Sequence, residues 1–238
     1  GIKEVEDLNL FKYKYTRLFD YYKPLSDEKA YRGTIGIPRV LNMYENYPFW
    51  FTFFTKLGYK VVLSDSSSKD IYNLGIETIP SESVCYPGKL VHGHIINLLD
   101  KGVKNIFYPS IPYEIKEDNK ADNHYNCPIV TSYPEVISVN VDRIKEENIN
   151  FMHPFLPLYD KKAMVERLYE EFSQYDISKA QVREAVNVAY EEFDLFKEDI
   201  RAEAQKIIRF AKEHNYHIIC LAGRPYHLDP EINHGIPE

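Results

Sequence analysis

Thr34-Ile35-Gly36-Ile37-Pro38-Arg39-Val40-Leu41 and Tyr59-Lys60-Val61-Val62-Leu63 flank the segment that decides the fold. The first run reads as a buried strand interrupted at Pro38, which has no N–H to give to a sheet ladder. Between the runs, Phe49, Trp50, Phe53, Phe54 and Leu57 fall at helical spacing, and Gly58 supplies a C-terminal stop. Asn46 is the expected cap of that helix. Pro48 is expected in its first turn, where a missing N–H costs little. Strand, helix, strand in this order predicts a parallel pair joined by a right-handed crossover.

Outward from this unit the pattern repeats. Ser64 to Ser68 form a small polar loop, Lys69 to Leu74 a short helix, and Ile76 to Ile79 a brief strand. Pro80-Ser81-Glu82-Ser83-Val84-Cys85-Tyr86-Pro87 is a loop feeding a helix from about Gly88 to Lys101, with Val91, Ile95, Leu98 and Leu99 facing inward. Val103 to Tyr108 reads as a strand, and Cys127-Pro128-Ile129-Val130 as another. Tyr133-Pro134-Glu135 reads as the opening of a helix, and Asn150 to Phe155 as one more strand. The alternation gives the fold class as α/β, with an open parallel-sheet lobe of the Rossmann or flavodoxin-like kind over 32–158.

Upstream, 1–31 reads as a helical N-terminal extension that places Leu8, Leu10, Phe11, Tyr15, Leu18 and Phe19 partly on one face. Downstream the texture changes after Tyr159. Met164, Val165, Leu168, Tyr169 and Phe172 mark an amphipathic helix, and Ser178 with Gln181 makes a capping box. From Val182 to Ala211 apolar residues step by three or four without Gly or Pro. That predicts a single helix of about 55 Å, a connector between two lobes over 159–215. His217 to Leu221 is expected as a strand, and 216–238 as the start of a second, truncated α/β lobe. Arg224-Pro225-Tyr226 loosely echoes the turn after the first strand, so the chain reads as a fragment of a longer parent.

At 238 residues there is room for a substantial core, and 20 Tyr and 13 Phe allow large rings to fill it. A net charge of −7 with no dense Lys/Arg run argues against a nucleic-acid partner. No apolar run approaches the roughly 18 residues of a membrane helix, and the N-terminus has no signal core. No membrane partner is therefore expected, and the expected location is cytoplasmic. Three widely spaced cysteines do not make a disulfide framework.

Motifs for nucleotide chemistry are missing. The turn after the first strand, Asn42-Met43-Tyr44-Glu45-Asn46-Tyr47-Pro48, contains no glycine, so G-x-G-x-x-G is absent. No G-x-x-x-x-G-K-[ST] and no G-x-S-x-G elbow occurs either. Asp65, near the end of the second strand, reads as a cap rather than a ribose ligand. His92-Gly93-His94 invites a metal reading, but i,i+2 positions on a helix face apart. One ring is expected to pack or hydrogen-bond locally while the other faces a cleft.

Cys85 and Cys127 both sit where a loop meets an α/β element, Cys85 ahead of a helix and Cys127 ahead of the expected strand at 127–130. Ligands of open parallel sheets gather outside the carboxyl ends of the strands, and a helix N-terminus favours a thiolate. From spacing alone, two distant cysteines, far from a C-x2-C pair, read rather as small buried residues than as ligands.

Arg32-Gly33-Thr34-Ile35-Gly36-Ile37-Pro38-Arg39-Val40-Leu41, Tyr47-Pro48-Phe49-Trp50, Pro80-Ser81-Glu82-Ser83 with Cys85-Tyr86-Pro87, Lys89-Leu90-Val91-His92-Gly93-His94, Asn126-Cys127-Pro128 and Ala222-Gly223-Arg224-Pro225-Tyr226 together resemble the uncharacterised domain of large proteins related to activators of 2-hydroxyacyl-CoA dehydratases. The resemblance implies a component of a system that delivers low-potential electrons through cysteine-bound [4Fe–4S] clusters and ATP hydrolysis. It implies partners too: an activator ATPase domain and dehydratase-like domains, in the parent or in a separate protein. Cys85 and Cys127 match cluster-type cysteines of that family and are the implied metal ligands. A third cysteine is expected after Ile106-Phe107-Tyr108-Pro109, where this chain has Ser110, a harder and far less acidic ligand. His92 and His94 would border the group as hydrogen-bonding neighbours. The ATPase domain's phosphate loops are not in this chain, so it is expected to bind no nucleotide and to be inactive alone. The alternative is a cluster-free scaffold that docks the ATPase domain or a partner dehydratase.

Overall fold

A computed structural model describes residues 8–237; the part of the N-terminal expectation that falls on 1–7 lies outside the described residues. The rest of that extension is a single helix, α1 (Leu10–Phe19), whose N-cap Asn9 accepts from the Lys12 N–H. Irregular chain follows up to β1.

β1 (Thr34–Ile37) stops just before Pro38, so the strand is half the expected length. α2 (Met43–Leu57) begins earlier than predicted. Asn42 occupies its cap position, while Asn46 and Pro48 lie inside the helix and are buried. There Pro48 leaves the Tyr44 carbonyl without its i+4 donor. Gly58 ends the helix at φ 91, and a Cβ there would meet the Tyr31 ring at 2.3 Å. β2 (Lys60–Leu63) follows.

α3 (Lys69–Gly75) is capped by the Ser68 hydroxyl. The strand expected at 76–79 is instead a 3-10 turn, Ile76–Thr78. The cause lies in the neighbouring helix α4 (Tyr86–Asp100), which carries Gly93 against the backbone of α3. Thr78 there hydrogen-bonds the Gly75 carbonyl and His92. The segment is thereby held on a helix and kept off the sheet.

β3 (Asn105–Phe107) is succeeded by a long loop and then by α5 (Pro128–Asn140). The predicted strand at 127–130 is the first turn of α5. Cys127 is its cap residue and Pro128 its first residue, where the missing N–H has no intrahelical partner to lose. Tyr133 and Pro134 lie within this helix instead of opening one. A short α6 (Arg143–Glu146) leads to β4 (Asn150–Met152). β1, β2, β3 and β4 form one parallel sheet in the order β2-β1-β3-β4. Ile35 pairs with Val61, Gly36 with Ile106, and Ile106 with Phe151.

α7 (Lys161–Phe172) and α8 (Lys179–Glu213) complete the helices. The Ser178–Gln181 capping box is present, and the 35 residues of α8 span about 52 Å. Among the described residues α8 lies against the lobe. Its apolar face, from Val182 to Phe196, is buried, and it packs on α2 and α7. Buried Arg17 of α1 is tied to it through Glu192 and Asp199, each at 2.8 Å. The strand predicted over 217–221 does not form. Among the described residues no neighbouring strand meets 217–221, and Ile219 is 86% exposed; an isolated strand leaves its backbone groups unpaired. Residues 225–237 turn back onto the sheet's lobe, where Leu228 and Asp229 are buried.

The core is aromatic where α2 meets β3. Trp50 has no exposure and packs against Phe49, Phe53, Phe54 and Phe107 with ring centroids 4.7–6.5 Å apart. Its indole nitrogen has no hydrogen-bond partner.

Candidate functional site

In the order β2-β1-β3-β4 the chain leaves β1 toward one edge and returns to place β3 on its other side. The loops after β1 and β3 therefore part in opposite directions, and the crevice between them lies outside the carboxyl ends of the strands. In a parallel sheet the connecting helices run back against the strands. Their N-termini accordingly lie at this same edge.

Cys85 caps α4 and Cys127 caps α5, each followed by a proline at the helix start and neither giving a side-chain cap bond. The two first turns touch. A Cβ built on Gly88 would lie 3.1 Å from Ile129 Cγ2 of α5 and 3.6 Å from Cys85 Sγ. Burial, then Cys127 and Cys85, raise the pKa of the Tyr226 hydroxyl. Cys85 is exposed, Cys127 half-buried, and Cys220 is exposed in the irregular C-terminal stretch.

Ser110 lies beyond β3 in an isolated parallel bridge with Phe155, its N–H donating to Pro154 O at 2.9 Å. It is fully buried, and its hydroxyl has no partner. The hydroxyl of Tyr108 is likewise fully buried and partnerless. Burial above all, then Tyr133 and Cys127, push that phenol well above its ordinary range. Tyr108 and Ser110 thus bring two unsatisfied hydroxyls to the strand end beside the α5 cap. Among the described residues, however, no group of three or more His, Cys, Asp or Glu is placed to hold a metal ion.

Both histidines are buried, so the expectation that one faces a cleft is corrected. His92 is 2.7 Å from Thr78 Oγ1 through Nδ1 and 3.0 Å from Tyr133 OH through Nε2, and so links α4 to α5. Burial lowers its pKa to about 4. His94 is held at Nδ1 by Ser64 Oγ, 2.7 Å, and at Nε2 by Ser67 Oγ, 2.9 Å. Burial, with Arg39 adding to it, lowers its pKa to about 3. With both nitrogens engaged, His94 has no lone pair directed at the cysteines. Asp65 is no ribose ligand in waiting either: Lys101 and Asn97 of α4 hold its carboxylate at 2.7 and 2.9 Å and lower its pKa.

Two further constellations had no sequence motif. Glu114, in the loop after β3, receives Nδ2 of Asn126 at 2.7 Å, of Asn46 at 3.1 and 3.2 Å, and of Asn42 at 3.3 Å. Burial raises its pKa, against the pull of the asparagines. Asn126 also donates to Ile111 O at 2.9 Å, so the residue before Cys127 is fastened to this cage. The second constellation surrounds Asp229. Its Oδ2 accepts from Tyr44 OH at 2.6 Å and from Ser67, and its Oδ1 accepts from the Glu231 N–H at 2.8 Å. An acid just past a strand-end motif, and an Asn beside a loop cysteine, were the signals available for the first. A residue more than a hundred positions from its partners left none for the second.

A family model described as the CoA enzyme activase uncharacterised domain matches residues 34–238. No curated protein and no solved structure matches the chain. The matched stretch takes in all four strands, both cysteine-capped helices and the C-terminal segment that returns to them; the chain belongs to the CoA enzyme activase uncharacterised domain family.

Proposed function

We propose that the chain is a component of a 2-hydroxyacyl-CoA dehydratase-like activation system, with Cys85 and Cys127 as its share of an iron–sulfur site. ATP hydrolysis belongs to a separate activator domain, with which this chain associates. The observation that carries the reading is the pair of cysteine-capped helix N-termini, α4 and α5, in contact at the carboxyl edge of the sheet. The donor set fits such a group in part. Two sulfurs stand at the positive ends of two helices, and Tyr108 and Ser110, past β3, carry partnerless buried hydroxyls. Among the described residues no third Cys, His or carboxylate stands alongside, so the remaining ligands come from another domain or chain. A cluster held there supplies low-potential one-electron transfer. The chain's own residues orient the sulfurs: Asn126 anchors the Cys127 loop, and the His92–Tyr133 bond fixes the spacing of the two helices.

The same shortage of ligands favours a second reading, a cluster-free domain that docks the ATPase domain or a dehydratase. Anaerobic reconstitution of the chain, alone and with an activator ATPase, followed by iron and sulfide analysis, separates the two. Bound iron and sulfide that disappear in Cys85→Ala or Cys127→Ala are expected. Iron-free protein in both preparations defeats the cluster, and iron-free protein that still binds the activator establishes docking.

A further inference from the structure

The Glu114 cage lies in the crevice between the diverging β1 and β3 loops, the place where open parallel sheets bind ligands. Asn42 and Asn46 reach it from the start of α2, Glu114 from the loop after β3, and Asn126 from the approach to α5. Among the described residues no Lys, Arg or His side chain pairs with this carboxylate, whose side-chain partners are the three neutral amides. Its charged neighbour is another acid, Glu45. The carboxylate is part-buried; charges withdrawn from water are as a rule paired or bound to metal, and among the described residues this one has no opposite charge.

We propose that Glu114, Asn42 and Asn46 form a binding site for a hard divalent cation, with Asn126, whose Nδ2 is committed to Ile111 O, steadying the Glu114 carboxylate. Carboxylate and amide oxygens are the ligands such ions take. Asn42 and Asn46 are 4% and 0% exposed, and the Oδ1 atom of each has no hydrogen-bond partner. A half-turn of an amide exchanges its oxygen and nitrogen at almost no change of shape. A bare carboxylate draws the nitrogens inward; a cation draws the oxygens. The contacts from Asn42 and Asn46, 3.1–3.3 Å, are long for hydrogen bonds to a charged group. They match the separation of neighbouring oxygens set at right angles around an ion about 2.2–2.3 Å from each, between the ranges of magnesium and calcium. The bound ion joins the two halves of the sheet at its point of divergence and holds the loop that leads to Cys127. Glu114 and the asparagines need no cluster for this role, so it stands independently of the iron–sulfur reading.

Thermal unfolding of the full chain in chelator, and in graded calcium, manganese or magnesium, is the test. A saturable rise in Tm with at least one of these ions is expected. At a concentration a hundredfold above Kd the folded-to-unfolded ratio rises about 100-fold. Glu114→Gln, which keeps the shape and removes the charge, should abolish the rise. Asn46→Asp sets a second carboxylate against the first: it should destabilise the chain in chelator and be rescued by the ion beyond the wild-type gain. That variant decides the matter if Glu114→Gln does not fold. No ion-dependent change in the wild type, an undiminished rise in Glu114→Gln, or an Asn46→Asp defect that no ion relieves would each overturn the site.

Discussion

Burial holds the pKa values of His92 and His94 well below the ordinary imidazole range. In the unfolded chain both take up protons at about pH 6.5, whereas in the native state they resist until about pH 4 and about pH 3. Below pH 6.5 the unfolded chain therefore binds more protons, and stability falls with pH through that window. Denaturant midpoints measured from pH 7 to 4 should decline. The decline should be shallower in His94→Gln, whose amide needs no neutral ring. At pH 7 the same variant should lose roughly 1–3 kcal/mol, as Ser64 or Ser67 is left without its partner. An identical pH slope in variant and wild type would remove His94 as a source of acid sensitivity. At this scale the sequence was legible for residue type but not for surroundings. The i,i+2 spacing correctly separated the two rings, yet it did not show that Ser64 and Ser67 come from another loop to occupy both nitrogens of His94. Glu114 stayed hidden for the same reason: its partners at 42, 46 and 126 converge only after folding.

Helix α2 and strands β1 and β2 could be read because aromatic spacing and apolar runs are local signals. Cys127–Val130 failed that test: the β-branched Ile129 and Val130 favour a strand by composition, yet Pro128 is well placed at a helix start. His217–Leu221 failed differently, since strand propensity needs a neighbouring strand to act on. Between α3 and α4 the decisive feature is the absence of side chains. A Cβ on Gly93 would lie 1.8 Å from Ile71 O, and one on Gly75 would lie 2.2 Å from Gly93 N. Both obstacles are backbone, which cannot swing aside. Gly93→Ala must force the helices apart, although alanine favours a helix by about 1 kcal/mol. A net loss of about 3 kcal/mol or more is expected in chemical denaturation. A neutral or stabilising result would mean that α3 is free to shift. Moving α4 would also displace Cys85 at its cap, so iron retention should suffer in the same variant if the cluster reading holds.

On the scale of the whole molecule, the C-terminal segment returns to the lobe that carries the sheet. Asp229 is its anchor, buried beneath Tyr44 and Ser67, with Tyr86 reaching Glu231 at 2.8 Å beside it. Asp229→Ala should leave two hydroxyls and the turn's N–H groups without an acceptor. Faster amide exchange over 225–237 is expected, with the protection of β1 and β3 unchanged. Equal protection of that segment in variant and wild type would assign its docking to Leu228 and its apolar neighbours alone.

Trp50, enclosed by phenylalanine rings under the sheet, is the chain's lone indole. Excitation gathered by the surrounding tyrosines drains into one emitter that reports a single place. Detachment of the returning C-terminal segment would pass unseen in its spectrum, and a red shift would mark the moment when α2 comes away from β3.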